Sequence, residues 1–219
     1  MRASQFILAN TRLLAVPLVP EIRLHLAEES LPIWQKTEEE LDAMNLPPPY
    51  WAFAWAGGQA LARYLIDNPA LVAGRRVLDL GSGSGLAAVA AARAGAAHVL
   101  AADIDALAVA AIKLNASANI VELEATSKDM LDAPPDGFDV LLIGDLFYER
   151  QLAGRVLAFA DTAADRGALV LAGDPRRNYF PQDRFRQLAL YPVPVTRELE
   201  DAEIKRSAVW RLEVDQRQP

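Results

Sequence analysis

The chain has no cysteine in its 219 residues, which excludes a disulfide framework and any thiolate metal site. Histidine is nearly as scarce. His25 and His98 are too few and too far apart for a metal-ligand set, and no metal is expected. Basic charge is in deficit: 22 Lys and Arg against 29 Asp and Glu leave a net charge of −7. That balance runs against a broad basic surface for a phosphate backbone, so no nucleic-acid partner is expected. Long apolar runs are missing too, because Arg, Asp or Pro interrupts each stretch before membrane-spanning length. In Met1–Pro20, Asn10 and Arg12 separate Phe6-Ile7-Leu8 from Leu13-Leu14-Ala15-Val16, leaving no signal-peptide core. These absences point to a cytoplasmic-type protein with no membrane partner; the host compartment, bacterial cytoplasm or mitochondrial matrix, and the oligomeric state, expected to be monomeric, stay open.

What is present is ordinary globular composition, 52% apolar and 23% charged. Residues 1–74 read as an N-terminal extension and cap. Glu21–Ala27 alternates like a strand, an acidic run Glu38-Glu39-Glu40 leads into Pro47-Pro48-Pro49, and a helix opens at Gly57-Gly58 and runs through Asp67. Residues 75–219 read as the main domain. Strands at Val77–Leu80, Val99–Ala102, Phe138–Ile143 and Ala168–Ala172 alternate with helices at Leu86–Ala94, Ala106–Ala118 and Glu149–Thr162. Such alternation predicts an α/β fold, Rossmann-like and doubly wound. At its end, Val193–Leu199 and Ser207–Val214 predict an antiparallel hairpin about the turn Glu200–Arg206.

Three segments carry chemistry. The first is Val77-Leu78-Asp79-Leu80-Gly81-Ser82-Gly83-Ser84-Gly85, a buried strand entering a glycine turn before a helix. The missing side chains at Gly81, Gly83 and Gly85 let a ligand approach the backbone. A dinucleotide fingerprint needs glycine at position 86, where Leu86 stands, and Asp79 would repel a pyrophosphate. Asp79 suits a ligand with a cationic amine, which the methionine part of S-adenosylmethionine (SAM) supplies.

The second segment is Ala101-Ala102-Asp103-Ile104-Asp105. Asp103 ends a strand about twenty residues past the loop, where a ribose diol needs a two-lobed acceptor. Asp105 immediately precedes a helix and reads as its N-cap. Asp129, beside Met130, is placed either to accept from an adenine amino group or to sit as a plain surface-loop carboxylate. The third segment, Gly144-Asp145-Leu146-Phe147-Tyr148, follows the strand Phe138–Ile143 at the cleft edge, where an acid and a phenol three residues apart can receive a cationic nucleophile. Trp51 and Trp55 are either aromatic walls for such a cation or simple packing.

Together with Trp51–Leu65 and Gly173-Asp174-Pro175, these segments make the chain resemble the seven-β-strand (class I) protein-lysine methyltransferases. Within that group it is most similar to the electron transfer flavoprotein β-subunit lysine methyltransferases, over about Pro20–Trp210. The resemblance implies a mostly parallel seven-stranded sheet with the C-terminal hairpin and a short N-terminal extension, and S-adenosyl-L-methionine as cofactor. It implies a cofactor pocket of Trp55, Asp79, Gly81, Ser82, Gly83, Gly85, Asp103, Ile104, Asp129 and Met130. Asp145 and Tyr148 would face the incoming lysine as the catalytic pair. The implied partner is the flavoprotein β subunit, with another basic protein, such as a ribosomal protein, or a SAM-binding module without turnover as alternatives. Ala102, Ser84 and Arg176 depart from the family pattern, standing where asparagine, cysteine and glycine are usual.

Two other readings are weaker. Pro47-Pro48-Pro49-Tyr50 matches a WW-domain ligand. Its Pro48-Pro49-Tyr50 also resembles a DNA amino-methyltransferase loop, but the required Asp or Asn is replaced by Pro47.

Overall fold

The computed structural model describes residues 3–27, 48–195 and 204–213. A first helix, α1 (Ala3–Asn10), is followed by the antiparallel pair β1 (Arg12–Val16) and β2 (Val19–Leu26). Then come α2 (Ala56–Asp67), β3 (Arg76–Leu80), α3 (Leu86–Arg93), β4 (His98–Ala102), α4 (Ala106–Ala118) and β5 (Glu124–Thr126). The chain continues through β6 (Val140–Gly144), α5 (Arg150–Asp165), β7 (Leu169–Asp174), β8 (Phe185–Pro194) and β9 (Ile204–Leu212).

Seven strands form one sheet in the order β5-β4-β3-β6-β7-β9-β8. The first five in that order run parallel, while β9 pairs antiparallel with β7 and β8 antiparallel with β9. This is the Rossmann-like doubly wound sheet with a C-terminal hairpin. The strand order reverses between β3 and β6, and the crevice at the carboxyl ends of those strands is where such sheets hold ligands. β3, β4, β6 and β7 are apolar on both faces because helices cover both. Asp105 caps α4 by accepting the backbone N–H of Leu107 at 2.8 Å, as its position before the helix predicts.

The N-terminal pieces are fastened by two asparagines, Asn115 on α4 and Asn119 at its C-cap. Asn119 Oδ1 accepts the N–H of Arg23 at 3.0 Å, and its Nδ2 donates back to the Arg23 carbonyl at 2.6 Å. Asn115 accepts the N–H of His25 at 2.7 Å. α2 lies directly on the sheet beside β7 and β9. Its first turn meets β7 so closely that a Cβ on either Gly57 or Gly173 would drive into the other residue's carbonyl oxygen.

Several boundaries differ from expectation. The predicted strand Phe138–Ile143 runs over Val140–Gly144, and just before it Asp139 places its carboxylate on the Arg76 backbone N–H and guanidinium. α5 runs to Asp165 rather than stopping at Thr162, and Gly167 at φ 92° then ends the run. The hairpin's first strand covers Phe185–Pro194 instead of Val193–Leu199, and residues 196–199 lie outside the described segments. A bulge between Gln187 and Ala189 breaks the alternation, and Pro192 and Pro194 read as strand breakers. The strand forms because β8 is at the sheet edge, where a missing N–H breaks no ladder bond on the outer side. The expected turn at Glu200–Arg206 is partly strand, since β9 already includes Ile204–Arg206.

Candidate active site

A cleft of about 480 Å³ opens at the carboxyl ends of β3, β4 and β6. Gly81, Gly83, Asp103 and Ile104 form one wall, and Asp129 and Met130 form another. Trp55, Asp145 and Tyr148 line the same cleft, so the structure brings nine of the twelve sequence-selected residues to one space.

Gly83 adopts φ 54°, and a Cβ there would meet nothing closer than the Tyr50 carbonyl at 4.0 Å. Its missing side chain therefore leaves open room on the cleft wall. Asp103 is held by two backbone donors: Oδ2 accepts the Gly83 N–H at 2.8 Å and Oδ1 accepts the Asp105 N–H at 2.9 Å. Burial raises its affinity for a proton, partly offset by those two bonds. Each oxygen keeps a lone pair for a further donor, such as a vicinal diol. Asp129 uses Oδ1 to cap the turn at Leu131, at 3.0 Å, and Oδ2 to pair with Arg155 at 2.9 Å. Its carboxylate thus combines a structural task with a place at the cleft wall.

Asp79, Ser82 and Gly85 sit behind the cleft. Asp79 is 2% exposed, and its Oδ2 accepts from the Ser82 hydroxyl and from the Ala88 N–H at 3.0 Å. The carboxyl thereby ties the glycine loop to the first turn of α3. Burial pushes it up to about 7. Gly85, at φ 82°, packs against Ile112 on α4. The loop's opposite anchor is again Asn115, whose Nδ2 donates to the Ser84 carbonyl at 2.7 Å.

Asp145 stands at φ 55°, a left-handed conformation uncommon outside glycine and asparagine, and is only 8% exposed. Its Oδ2 accepts the Gly58 N–H at the start of α2, at 2.9 Å. Its Oδ1 accepts from Arg177 Nε at 3.0 Å and Nη2 at 2.7 Å. The guanidinium also lies 5.7 Å from the Trp55 ring centroid. Tyr148 is 45% exposed at the mouth, its ring 5.8 Å from that of Tyr50. Tyr50 in turn packs edge-on to Trp55, and its carbonyl accepts from Trp55 Nε1 at 2.9 Å. Trp51 is 1% exposed among Ile7, Ala52, Ala108 and Ala111, with an edge on the cleft, so packing is its main role.

Reading the sequence overlooked Arg177 and gave Asp174 no role beyond its place in the Gly173-Asp174-Pro175 segment. Arg177 follows β7 within Asp174-Pro175-Arg176-Arg177, and a charged cluster just past a strand's carboxyl end was the available signal. Asp174 Oδ1 accepts the Arg177 N–H at 2.6 Å, while its Oδ2 is buried without a partner. Burial and the nearby Asp145 push this carboxyl up to about 7. Tyr50 was passed over as part of a proline motif, yet its ring helps form the aromatic mouth.

The cleft's chemistry fits SAM. Carboxylate Asp103 faces a space with apolar Met130, Leu131 and Ala108, as an adenosine requires, and the wall at Gly83 is open to close approach, whereas the Leu146 side chain fills the place of a side chain at Gly81.

Comparison with known proteins agrees with this geometry. Residues 60–144 match the ribosomal protein L11 methyltransferase (PrmA) family. Magnesium protoporphyrin IX methyltransferase from Synechocystis, solved with SAM bound, shares the fold at a TM-score of 0.53 and 15% identity, over 71% of this chain and 78% of that one. The chain is 40% identical to the electron transfer flavoprotein beta subunit lysine methyltransferase of Danio rerio, covering 94% of this chain and 81% of that protein. Identity to the Homo sapiens protein of the same name is 37%, over 88% and 75%. The fold, the cleft and these relatives lead to one assignment: the chain belongs to the electron transfer flavoprotein beta subunit lysine methyltransferase family and is a SAM-dependent methyltransferase.

Proposed function

We propose that this protein transfers methyl groups from SAM to a lysine of the electron transfer flavoprotein β subunit. The observation that carries the proposal is that Gly81, Gly83 and Asp103 share one cleft with Asp145 and Tyr148. A cofactor wall and a polar, aromatic-rimmed entrance thus meet in a single space.

Asp103 would accept the ribose hydroxyls, Met130 and Leu131 would flank the adenine, and the backbone at Gly81 and Gly83 would follow the rest of the molecule. Bound SAM supplies a methyl group on a positive sulfonium, already activated, so its transfer depends on alignment. The harder task is preparing the lysine. Its ammonium has a pKa of about 10.4, and neutralising it at pH 7 costs roughly 4–5 kcal/mol. Tyr148 and Trp55, which line the cleft, would narrow the entrance and limit water, and Asp145 would orient the amine. The aromatic faces also suit a methylated ammonium.

The acidic balance of the chain favours a lysine set in a basic surface. The acidic runs Glu38–Glu40 and Glu198–Glu203 lie outside the described residues. Among the described residues no helix is long and apolar enough to cross a membrane, and we assign the protein to the compartment of its flavoprotein substrate, bacterial cytoplasm or mitochondrial matrix. A second reading, methylation of a ribosomal protein, draws on the PrmA match over residues 60–144.

The deciding experiment incubates the protein with methyl-labelled SAM and purified flavoprotein. The β subunit should gain multiples of about 14 Da on lysine while keeping its charge. An unmodified flavoprotein beside another labelled lysate protein would overturn the substrate and leave the cofactor standing.

A further inference from the structure

Asp145 does not meet the cleft as a bare carboxylate. Arg177 donates to its Oδ1 through Nε and Nη2, and the guanidinium, carboxylate and Trp55 ring form a closed cation site filled by the chain's own arginine. The arginine is held from behind as well, by the bond from its backbone N–H to Asp174. An unpaired carboxylate beside the entering lysine would grip the ammonium and keep it protonated, since an opposite charge within about 4–6 Å favours the charged form by 1–3 pH units. A protonated lysine has no lone pair for attack.

We propose that Arg177 is a positioning residue that neutralises Asp145, so that the cleft accepts the substrate lysine as the free amine. Asp145 can then accept an N–H from the amine and aim its lone pair without stabilising the ammonium. A guanidinium suits this role because it stays charged across the working pH range. The other groups facing the pair do not replace it. Asp174 on β7 is pushed by burial up to about 7. The Tyr148 phenol is pushed up by burial, with Tyr50, Asp103 and Glu149 adding in the same direction, so it stays neutral. Asp103 across the cleft is committed to the Gly83 and Asp105 amides.

The inference rests on the lysine-methyltransferase reading, and its test separates the two. Single-turnover methylation of the flavoprotein is followed from pH 6.5 to 10.5 in the wild type, Arg177→Gln and Arg177→Lys. The wild-type rate should rise to a plateau with a midpoint at least one unit below the 10.4 or so of free lysine. In Arg177→Gln the midpoint should move up by about one unit or more, with the rate at pH 7 down about tenfold and recovering at pH 10, while Arg177→Lys, which keeps the charge at pH 7 without the fork geometry, should recover part of that rate and shift the midpoint less than Arg177→Gln. With S-adenosylhomocysteine in place of SAM, Arg177→Gln should bind the unmethylated acceptor more tightly than wild type at pH 7. An equal rate loss at every pH, or an unmoved midpoint, would overturn the role. If Arg177→Gln does not fold, a wild-type midpoint at or above that of free lysine overturns it alone. A wild type that modifies no protein lysine defeats the functional reading and this inference together; a wild type that does, with an unmoved variant profile, defeats only the inference.

Discussion

Asn115 joins the glycine loop to the N-terminal hairpin: its Nδ2 donates to the Ser84 carbonyl while its Oδ1 accepts the His25 N–H, both at 2.7 Å. The side chain is completely buried, its bond to Ser84 is made away from water and that to His25 is partly shielded. Asn115→Leu leaves a buried carbonyl and a buried N–H unsatisfied, which should cost about 2–4 kcal/mol. The loop should also lose its set position, so SAM affinity should fall. Chemical denaturation and titration calorimetry on the same variant measure both, and a variant destabilised with cofactor affinity unchanged would separate hairpin from loop.

Asp103→Ala should weaken SAM binding at least tenfold. The lost charge-assisted hydrogen bonds contribute about 1.5–3 kcal/mol each. NAD should not bind, and competition between NAD and SAM in calorimetry would show that the glycine loop serves another ligand.

Asp145→Asn should leave SAM affinity within about threefold and reduce turnover on the protein acceptor by an order of magnitude or more. Asparagine tolerates the left-handed backbone at position 145, so the substitution changes charge with little strain. Parallel losses of affinity and rate would move Asp145 into the cofactor site.

Gly173→Ala should be severely destabilising, by about 3 kcal/mol or more, because the new methyl meets the backbone of Gly57 and neither chain segment can yield. Ala at Gly154 on α5, where a Cβ meets nothing within 4 Å, is the control and should be neutral or stabilising. Thermal melting of the two variants compares them directly.

Stability should also depend on pH through Asp174. Its carboxyl rises from an ordinary 3.8 to about 7 on folding, so the folded state binds the proton more tightly than the unfolded one. The stability this contributes is complete below about pH 4, declines as pH rises, and is lost above about 7. Asp174→Asn removes that titration, so the fall in Tm between pH 5 and pH 8 should be smaller than in wild type. Asp79, raised to a similar value, supplies part of the remaining slope.

The sheet, its strand order and the glycine loop were legible because period and spacing carry them. Asp103 and Asp105 were separable by position alone, one just past the end of β4 and the other capping α4. The direction of a side chain was not. Asp79 was expected to face a ligand amine, but a residue on a buried strand can turn either toward the crevice or toward the neighbouring helix, and the unsatisfied N–H of Ala88 draws it to the helix. Arg177 was hidden for a related reason. Its importance comes from Asp145, 32 residues earlier and on another strand, and no local pattern encodes that pairing. The strand at Phe185–Pro194 was obscured by its bulge and prolines, features that an outer position permits.

Those same prolines limit how this sheet can meet other chains. At one rim β8 carries Pro192 and Pro194, which offer no N–H to a docking strand, and at the other rim β5 is only three residues long. Among the described residues, the proline-bearing end of β8 and the short β5 are poor templates for continued pairing. A partner protein meeting the sheet at those two places would be read by side chains and loops, and the same features make them poor seeds for aggregation.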